Sequence, residues 1–552
     1  ETDGVFQMES GGFQRMLRKL KPDCFEDIIA AVALYRPGPM DNIPTFINRK
    51  HGRERIEYLH EDLTPILKNT YGIMVYQEQV MQIASRIGGM TLGQADSLRK
   101  AIGKKKAKLM DEMLGIFRDG AVAAGYDPAM LEKLIADVLK FASYGFNKSH
   151  AAAYALISYW TAWLKTYYPQ EFMAATLTCN IEHPDSVVKF VQVSKDMGFK
   201  MLPPCIEKSD WGFTVEGDAI RVGLGAVKGV GAGAIELVME ERAKGRMESL
   251  YDFCERIDNQ KANKRTLETL IKAGAFDCTG VSRARLLATL DRAIEYGARR
   301  QKEKKSGQTS LFGAFGGGTS AKTAAASSGI EYCEAHELTE NEKLSFEKET
   351  LGLYLSAHPM DRYAKEVKRF CSFNIAQAHE RSDKSEVTLC GVVAALSDRP
   401  TRDGRGRMII FTLEDPYGSI ECLVFQRVYD QVVAKLSEDA AVMVSGAIMA
   451  DDAGEEATVK LRVTQVTAMN DIIGKNTRMV HLELPEVATT HDIKELSVIC
   501  GQYPGDVPVC LHIIRSEYEA LLRLSSKWRV SPCDEFLDRA ETVLGRESVH
   551  LE

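Results

Sequence analysis

With 552 residues, 45% of them apolar and 27% charged, the chain is too long for one hydrophobic core and has the composition of globular protein; about three to five domains are expected. A net charge of −7 excludes a surface that is basic all round, so any nucleic-acid contact must sit in local patches. The twelve cysteines form no CxxC pair and no Cys/His spacing of the zinc type, which predicts a reducing, cytoplasmic setting, no disulfide framework and no metal bound by this chain.

In chain order, Glu1-Thr2-Asp3-Gly4 lacks both an initiator Met and an export signal, and reads as the inside of a longer protein. Apolar residues then recur at helical spacing, as in Phe25, Ile28, Ile29, Val32 and in Leu131, Leu134, Ile135, Val138, Leu139, predicting a mostly helical domain over 1–204 that Pro203-Pro204 closes. Its most apolar stretch, Ala151 to Leu164, is too short and too polar to span a bilayer and is read as a buried core helix. A glycine-rich domain with two or three helices is expected over 205–296. Residues 297–332 have the composition of a flexible linker. A helical connector over 333–384 includes the acidic stretch from Glu334 to Glu349. Within 385–470, β-branched runs at Val387–Val393, Arg407–Leu413, Ser419–Phe425, Ala441–Ile448 and Thr458–Val466, with a helix Val428–Leu436 after the third, follow the order of an OB-type barrel. Residues 476–552 read as a small α/β unit. The fold class is therefore multi-domain α+β.

Four patterns carry chemistry. Arg99, Lys100, Lys104, Lys105, Lys106 and Lys108 crowd ten positions around Gly103; such density is either a solvated loop or a phosphate site on which ammonium groups converge. Ser143-Tyr144-Gly145-Phe146-Asn147-Lys148-Ser149-His150 precedes the apolar helix, where Asn147 or Ser149 caps the helix and Lys148 and His150 either add phosphate donors or are structural. Tyr35-Arg36-Pro37-Gly38-Pro39-Met40 holds an arginine on a rigid turn. Gly223-Leu224-Gly225 with Lys228-Gly229-Val230-Gly231-Ala232-Gly233-Ala234-Ile235 fits a helix-hairpin-helix whose backbone N–H groups face one DNA phosphate, or simply a tight turn. Asn263-Lys264-Arg265 and Lys272-Ala273-Gly274 are candidates for its companion half.

The segments GVFQMES, ALYRPGPM, YGIMVYQEQVM, RKAIGKKK and KFASYGFNKSHAAAYALISYWTAWLKTYYP together resemble the fingers of the alpha subunit of bacterial DNA polymerase III, and the similarity runs through the whole chain. The resemblance implies a fingers domain that contacts the triphosphate of the incoming deoxynucleotide through Arg36, Arg99, Lys100, Lys148 and His150, with Tyr144 and Asn147 as second choices. The helix-hairpin-helix pattern, for its part, predicts duplex contacts at Lys228, Gly229, Gly231, Gly233, Lys264 and Arg265. Catalysis would need Mg²⁺ on palm aspartates that precede this chain in the family; Asp3, Asp23, Asp27, Asp41 and Asp62 read as caps or solvated charges, so no catalytic residue is expected here.

The linker carries Gln308-Thr309-Ser310-Leu311-Phe312, whose two large apolar side chains cannot be buried locally. It resembles the sliding-clamp-binding pentapeptide, with Gln308, Leu311 and Phe312 as anchors, and favours a replicative over an error-prone relative; packing on a neighbouring domain is the alternative. In the barrel, Arg402, Arg405 and Arg407 lie beside Phe411, Tyr417 and Phe425. Such residues either hold single-stranded DNA by stacking or fill a core. For 476–552, the resemblance implies binding of the tau subunit of the clamp loader.

Overall fold

The computed structural model describes the chain except residues 1, 104–106, 143–144, 259, 307–330, 372, 380, 401–405, 452–457, 487, 516–517 and 546–547. Two compact units result, Glu1–Thr176 and Leu177–Glu552. The first therefore ends well before Pro203-Pro204, and the helix Pro184–Asp196 lies in the second.

Among the described residues, the first unit is built of helices around two cores. One gathers Leu63, Ile83, Leu98, Phe117, Leu134 and Phe141, and the other Phe13, Met16, Ala30, Phe46, Val75 and Ala155. The helices that position the site are α1 (Phe25–Leu34), α2 (Gln77–Arg86), α3 (Leu92–Gly103) and α4 (Lys148–Tyr167). The expected core helix is α4, and it is only partly buried. It buries Ala151, Ala155, Ser158 and Lys165, while Trp160 is 55% and Tyr167 64% exposed, with Tyr159, Trp163 and Leu164 also outward. Large side chains occupy nearly every face, so the composition announced apolarity without saying which face had a partner. The buried face carries alanines because α1 packs closely there.

In the second unit, three short strands, Lys200–Leu202, Thr214–Glu216 and Ala219–Arg221, form one sheet. Helices α5 (Ala232–Lys244) and α6 (Lys264–Lys272) follow. Then β1 (Glu386–Pro400), β2 (Arg407–Asp415), β3 (Gly418–Val424), β4 (Ala441–Asp451) and β5 (Thr458–Ala468) close into a barrel in the order β1-β2-β3-β5-β4. Closure comes from the parallel pair β3–β5, with Cys422 opposite Leu461, and removes both sheet edges. Its interior is filled by Leu389, Ile409, Phe411, Leu413, Ile420, Val444 and Val463. A helix Gln426–Val432 lies between the third and fourth strands. The multi-domain α+β class expected from the sequence is thus present.

The last domain has the four-stranded sheet β8-β7-β6-β9, from β6 (Val480–Leu484), β7 (Val509–Arg515), β8 (Tyr518–Arg523) and β9 (Val549–Leu551). Helices α7 (Thr490–Gln502) and α8 (Asp534–Leu544) cover one face, burying Val480, Leu482, Val509, Leu496 and Phe536. Ion pairs around the buried Asp538 tie α8 to the connector. Arg362 reaches Asp534 at 3.2 Å and Glu541 at 3.7 Å, and also pairs with Asp538, while Tyr363 donates to Asp534 and Asn341 to Asp538.

Candidate functional site

The start of α4 is held from two directions. Asn147 has extended backbone and its Oδ1 accepts from the His150 N–H at 3.0 Å, so Asn147 is the cap that the sequence offered together with Ser149. Ser149 instead donates its hydroxyl to Asn147. Ahead of the cap, Phe146 pairs with the strand-like residues before α2: its N–H donates to the Val75 carbonyl at 3.3 Å and its carbonyl accepts from the Gln77 N–H at 2.8 Å. Gly145 is required there, because a Cβ would lie 2.7 Å from the Phe141 ring.

Onto this loop come the cations. The Arg36 guanidinium stacks 4.0 Å from the Phe146 ring centroid and Arg36 Nε donates to the Ala33 carbonyl at the end of α1. Burial lowers the Arg36 pKa from its ordinary value, which still leaves it a cation. Lys148 Nζ lies 5.4 Å from the centre of the Tyr76 ring, and the Lys148 backbone N–H donates to Glu78 at 2.8 Å. His150 is exposed between the rings of Phe146 and Tyr154, at 5.4 and 4.3 Å. A single amide joins α3 to this group: Gln77 Nε2 donates to the Gly145 carbonyl and Gln77 Oε1 accepts from Arg99, each at 2.9 Å. Asp96 pairs with Arg99 at 2.8 Å and with Lys100 at 2.6 Å, and these two hydrogen bonds, Lys100 first, hold its carboxyl below the usual range.

Arg36, Asn147, Lys148 and His150 are therefore brought together, with Arg99 attached through Gln77. Lys100 faces solvent beside Asp96. Tyr144 and Lys104, Lys105 and Lys106 lie outside the described residues. Sequence reasoning missed Gln77, Glu78 and Phe146 as the parts that position the loop, although all three stand in the segments that carried the resemblance. No carboxylate pair suited to Mg²⁺ is found at this site among the described residues. Asp23 and Asp27 approach each other near Cys24, but Lys50 Nζ already sits 2.7 and 2.6 Å from them.

In the second unit, Gly229 has φ +77°, which only glycine adopts without strain, and Gly231 is the N-cap of α5. No side chain caps α5, so its first-turn N–H groups and dipole end, beside open glycines, suit an anion, while exposed Lys228 carries its ammonium close to Gly352. The companion end differs. Asn263 caps α6 by accepting from Thr266 N–H at 3.0 Å, Lys264 pairs with Asp291 at 2.6 Å, and Arg265 is exposed.

On the barrel, Phe411 is a correction. It is 1% exposed within the core, because it shares the inward parity of Ile409 and Leu413, so its ring has no face for a base. Tyr417 and Phe425 are the exposed rings there, at 51% and 39%. Arg407 is held by Asp398 at 2.8 Å. Arg402, Arg405, Gln308, Leu311 and Phe312 lie outside the described residues.

A glycine turn ahead of a helix, a closed five-stranded barrel of OB order and a cationic loop at a helix start together define a multidomain α+β protein. Comparison with known families matches residues 1–125 to the bacterial DNA polymerase III alpha subunit finger domain, 198–286 to a helix-hairpin-helix motif, 387–468 to an OB-fold nucleic acid binding domain and 495–545 to the DNA polymerase III subunit alpha C-terminal domain. The DNA polymerase III subunit alpha of Vibrio cholerae is 40% identical over 563 residues, and that of Escherichia coli K12 is 40% identical over 566, each alignment covering 100% of this chain and 48% of the relative. The chain thus belongs to the bacterial DNA polymerase III alpha subunit family and spans about half the length of these relatives. Among solved structures, the mitochondrial single-stranded DNA binding protein of S. cerevisiae is 13% identical over 16% of this chain and 97% of that one, with a TM-score of 0.14. No helix among the described residues is long and apolar enough to cross a membrane.

Proposed function

We propose that this chain is the gripping and docking portion of a replicative DNA polymerase catalytic subunit, a cytoplasmic enzyme that extends primers 5′ to 3′ on a template from deoxynucleoside triphosphates. The observation that carries this reading is the convergence of Arg36, Lys148 and His150 on the Phe146 loop at the start of α4, with Arg99 attached through Gln77. A helix N-terminus flanked by cations suits a triphosphate: the backbone and the side chains neutralise its oxygens and the charge that develops as pyrophosphate leaves. These residues bind and orient; they do not activate the primer hydroxyl.

In the full-length enzyme, bound Mg²⁺ would activate that hydroxyl and stabilise the leaving oxygens. The residues described at this site do not fit such ions, so their ligands are assigned to the remainder of the protein. Primer-template duplex is assigned to Lys228, Gly229, Gly231 and Gly233 at the start of α5, with Lys264 and Arg265 at α6, through phosphates and without reading sequence. Single-stranded template is assigned to Arg402, Arg405 and Arg407 with Tyr417 and Phe425. The sliding clamp takes Gln308, Leu311 and Phe312, and the clamp-loader tau subunit takes 476–552.

The test is primer extension by the full-length protein carrying Arg36→Ala or Lys148→Ala. Each should raise the KM for deoxynucleoside triphosphate and lower kcat/KM by about tenfold or more, the loss of one charge-assisted contact. Wild-type kcat/KM in both variants would refute the assignment.

A further inference from the structure

One face of the last sheet is buried under α7 and α8; the other carries a side-chain cluster with no part in gripping DNA. On that second face, Cys510 and His512 stand two residues apart on β7, and His481 of β6 is the register partner of Cys510. Strand alternation therefore points all three the same way. Their donor atoms lie within 4.8 Å of one another.

The hydrogen bonds around the two imidazoles fix what faces inward. His481 Nε2 lies 3.0 Å from a Glu552 carboxylate oxygen and His512 Nδ1 lies 3.3 Å from Glu519. A carboxylate only accepts, so each of these ring nitrogens is the protonated one. In the neutral rings the remaining nitrogens, His481 Nδ1 and His512 Nε2, both present lone pairs, and they face each other at 2.7 Å. Two lone pairs at that distance repel unless a positive centre is shared between them. Cys510 Sγ, 7% exposed as a residue, supplies a third donor beside the pair.

We infer that His481 Nδ1, His512 Nε2 and Cys510 Sγ form a binding site for a borderline divalent cation, Zn²⁺, with its fourth position open. The donor set is the imidazole and thiolate mixture that zinc favours, and the two carboxylates stand where outer partners orient metal-bound histidines. Tetrahedral bonds of about 2.0–2.1 Å to nitrogen need the imidazole nitrogens to part by roughly 0.6 Å, a small rotation of rings on a pleated surface. On binding, the Cys510 thiol gives up its proton to solvent as the sulfur–metal bond forms, so one proton is released for each ion taken up. The site ties β6 to β7. The sequence concealed it because its spacing is that of strand register, Cys-x-His with a histidine from a neighbouring strand, rather than a CxxC pair.

The test uses the whole chain, stripped with a chelator and titrated with Zn²⁺ against a chromophoric competitor, then with Co²⁺. One equivalent should be taken up competitively, and the Co²⁺ form should show the intense visible bands of tetrahedral coordination with a thiolate-to-cobalt charge-transfer band. His481→Gln and Cys510→Ser should each abolish that equivalent, and Glu519→Gln should weaken it by about 10–100-fold. Absence of stoichiometric uptake in the wild type would mean that the imidazoles share a proton instead, and would overturn the inference. Uptake unchanged in both His481→Gln and Cys510→Ser would place the metal elsewhere and overturn it equally. The wild-type Co²⁺ spectrum does not depend on any variant folding, and an octahedral spectrum without a charge-transfer band would also count against the site.

Discussion

Replacing Arg362 by Met is expected to loosen α8 from the connector. Asp538 is 5% exposed, and the change would leave it with the amide of Asn341 but no cation. Removing one partner of a buried ion pair costs about 3–5 kcal/mol. Asp534 and Glu541, whose side chains are 24% and 22% exposed, can turn to water, so the low end of about 3 kcal/mol applies. That corresponds to roughly a hundredfold loss of amide-exchange protection across Asp534–Leu544 if the helix opens locally. Hydrogen exchange read by mass spectrometry on the whole chain is the assay. Burial pushes the Asp538 carboxyl above its ordinary value, so protonation relieves the variant and its deficit should shrink as pH falls through that raised value. The double variant Arg362→Met/Asp538→Asn should recover most of the loss. A change below about threefold, or a double variant that is merely additive, would refute the reasoning.

Asn147→Ala removes the cap of α4 and should cost about 1 kcal/mol in denaturant unfolding, with Asn147→Asp tolerated. Phe411→Ala should cost about 3–5 kcal/mol of barrel stability, whereas Tyr417→Ala should leave stability intact and weaken single-stranded DNA binding in a fluorescence titration. His358 is held down to about 4 by burial, and its Nε2 has no hydrogen-bond partner among the described residues. The unfolded chain therefore binds that proton first, and stability should be lost as pH falls from about 6.5 to about 4, by up to about 3 kcal/mol; a flat profile in thermal unfolding would contradict this. Leu311→Ala/Phe312→Ala should abolish binding of purified clamp in a titration.

The barrel was legible because each strand is a β-branched run and the runs are spaced by turn residues. The cap at Asn147 was legible because a polar residue stands ahead of a long apolar helix. Phe411 is placed inward by parity, since Ile409 and Leu413 flank it at two-residue steps, and alternation along a strand outranks aromatic type. What stayed hidden depends on distant pairing. Glu78 meets the Lys148 N–H across 70 positions, and His481 meets His512 only through the β6–β7 register. The outward rings of α4 were hidden for a different reason, because hydrophobicity does not specify which neighbour is present.

Gln77 has a consequence of its own. Its oxygen is committed to Arg99 and its nitrogen to the Gly145 carbonyl, so the amide orientation that serves one serves the other. An anion that draws Arg99 away removes a restraint on that amide and thereby on the loop before Asn147. By reciprocity, a ligand that reshapes the loop alters how tightly α3 holds its arginine. Two anchoring points twenty-two residues apart, Gln77 and Arg99, thus act as one lever, with a side-chain amide as its fulcrum.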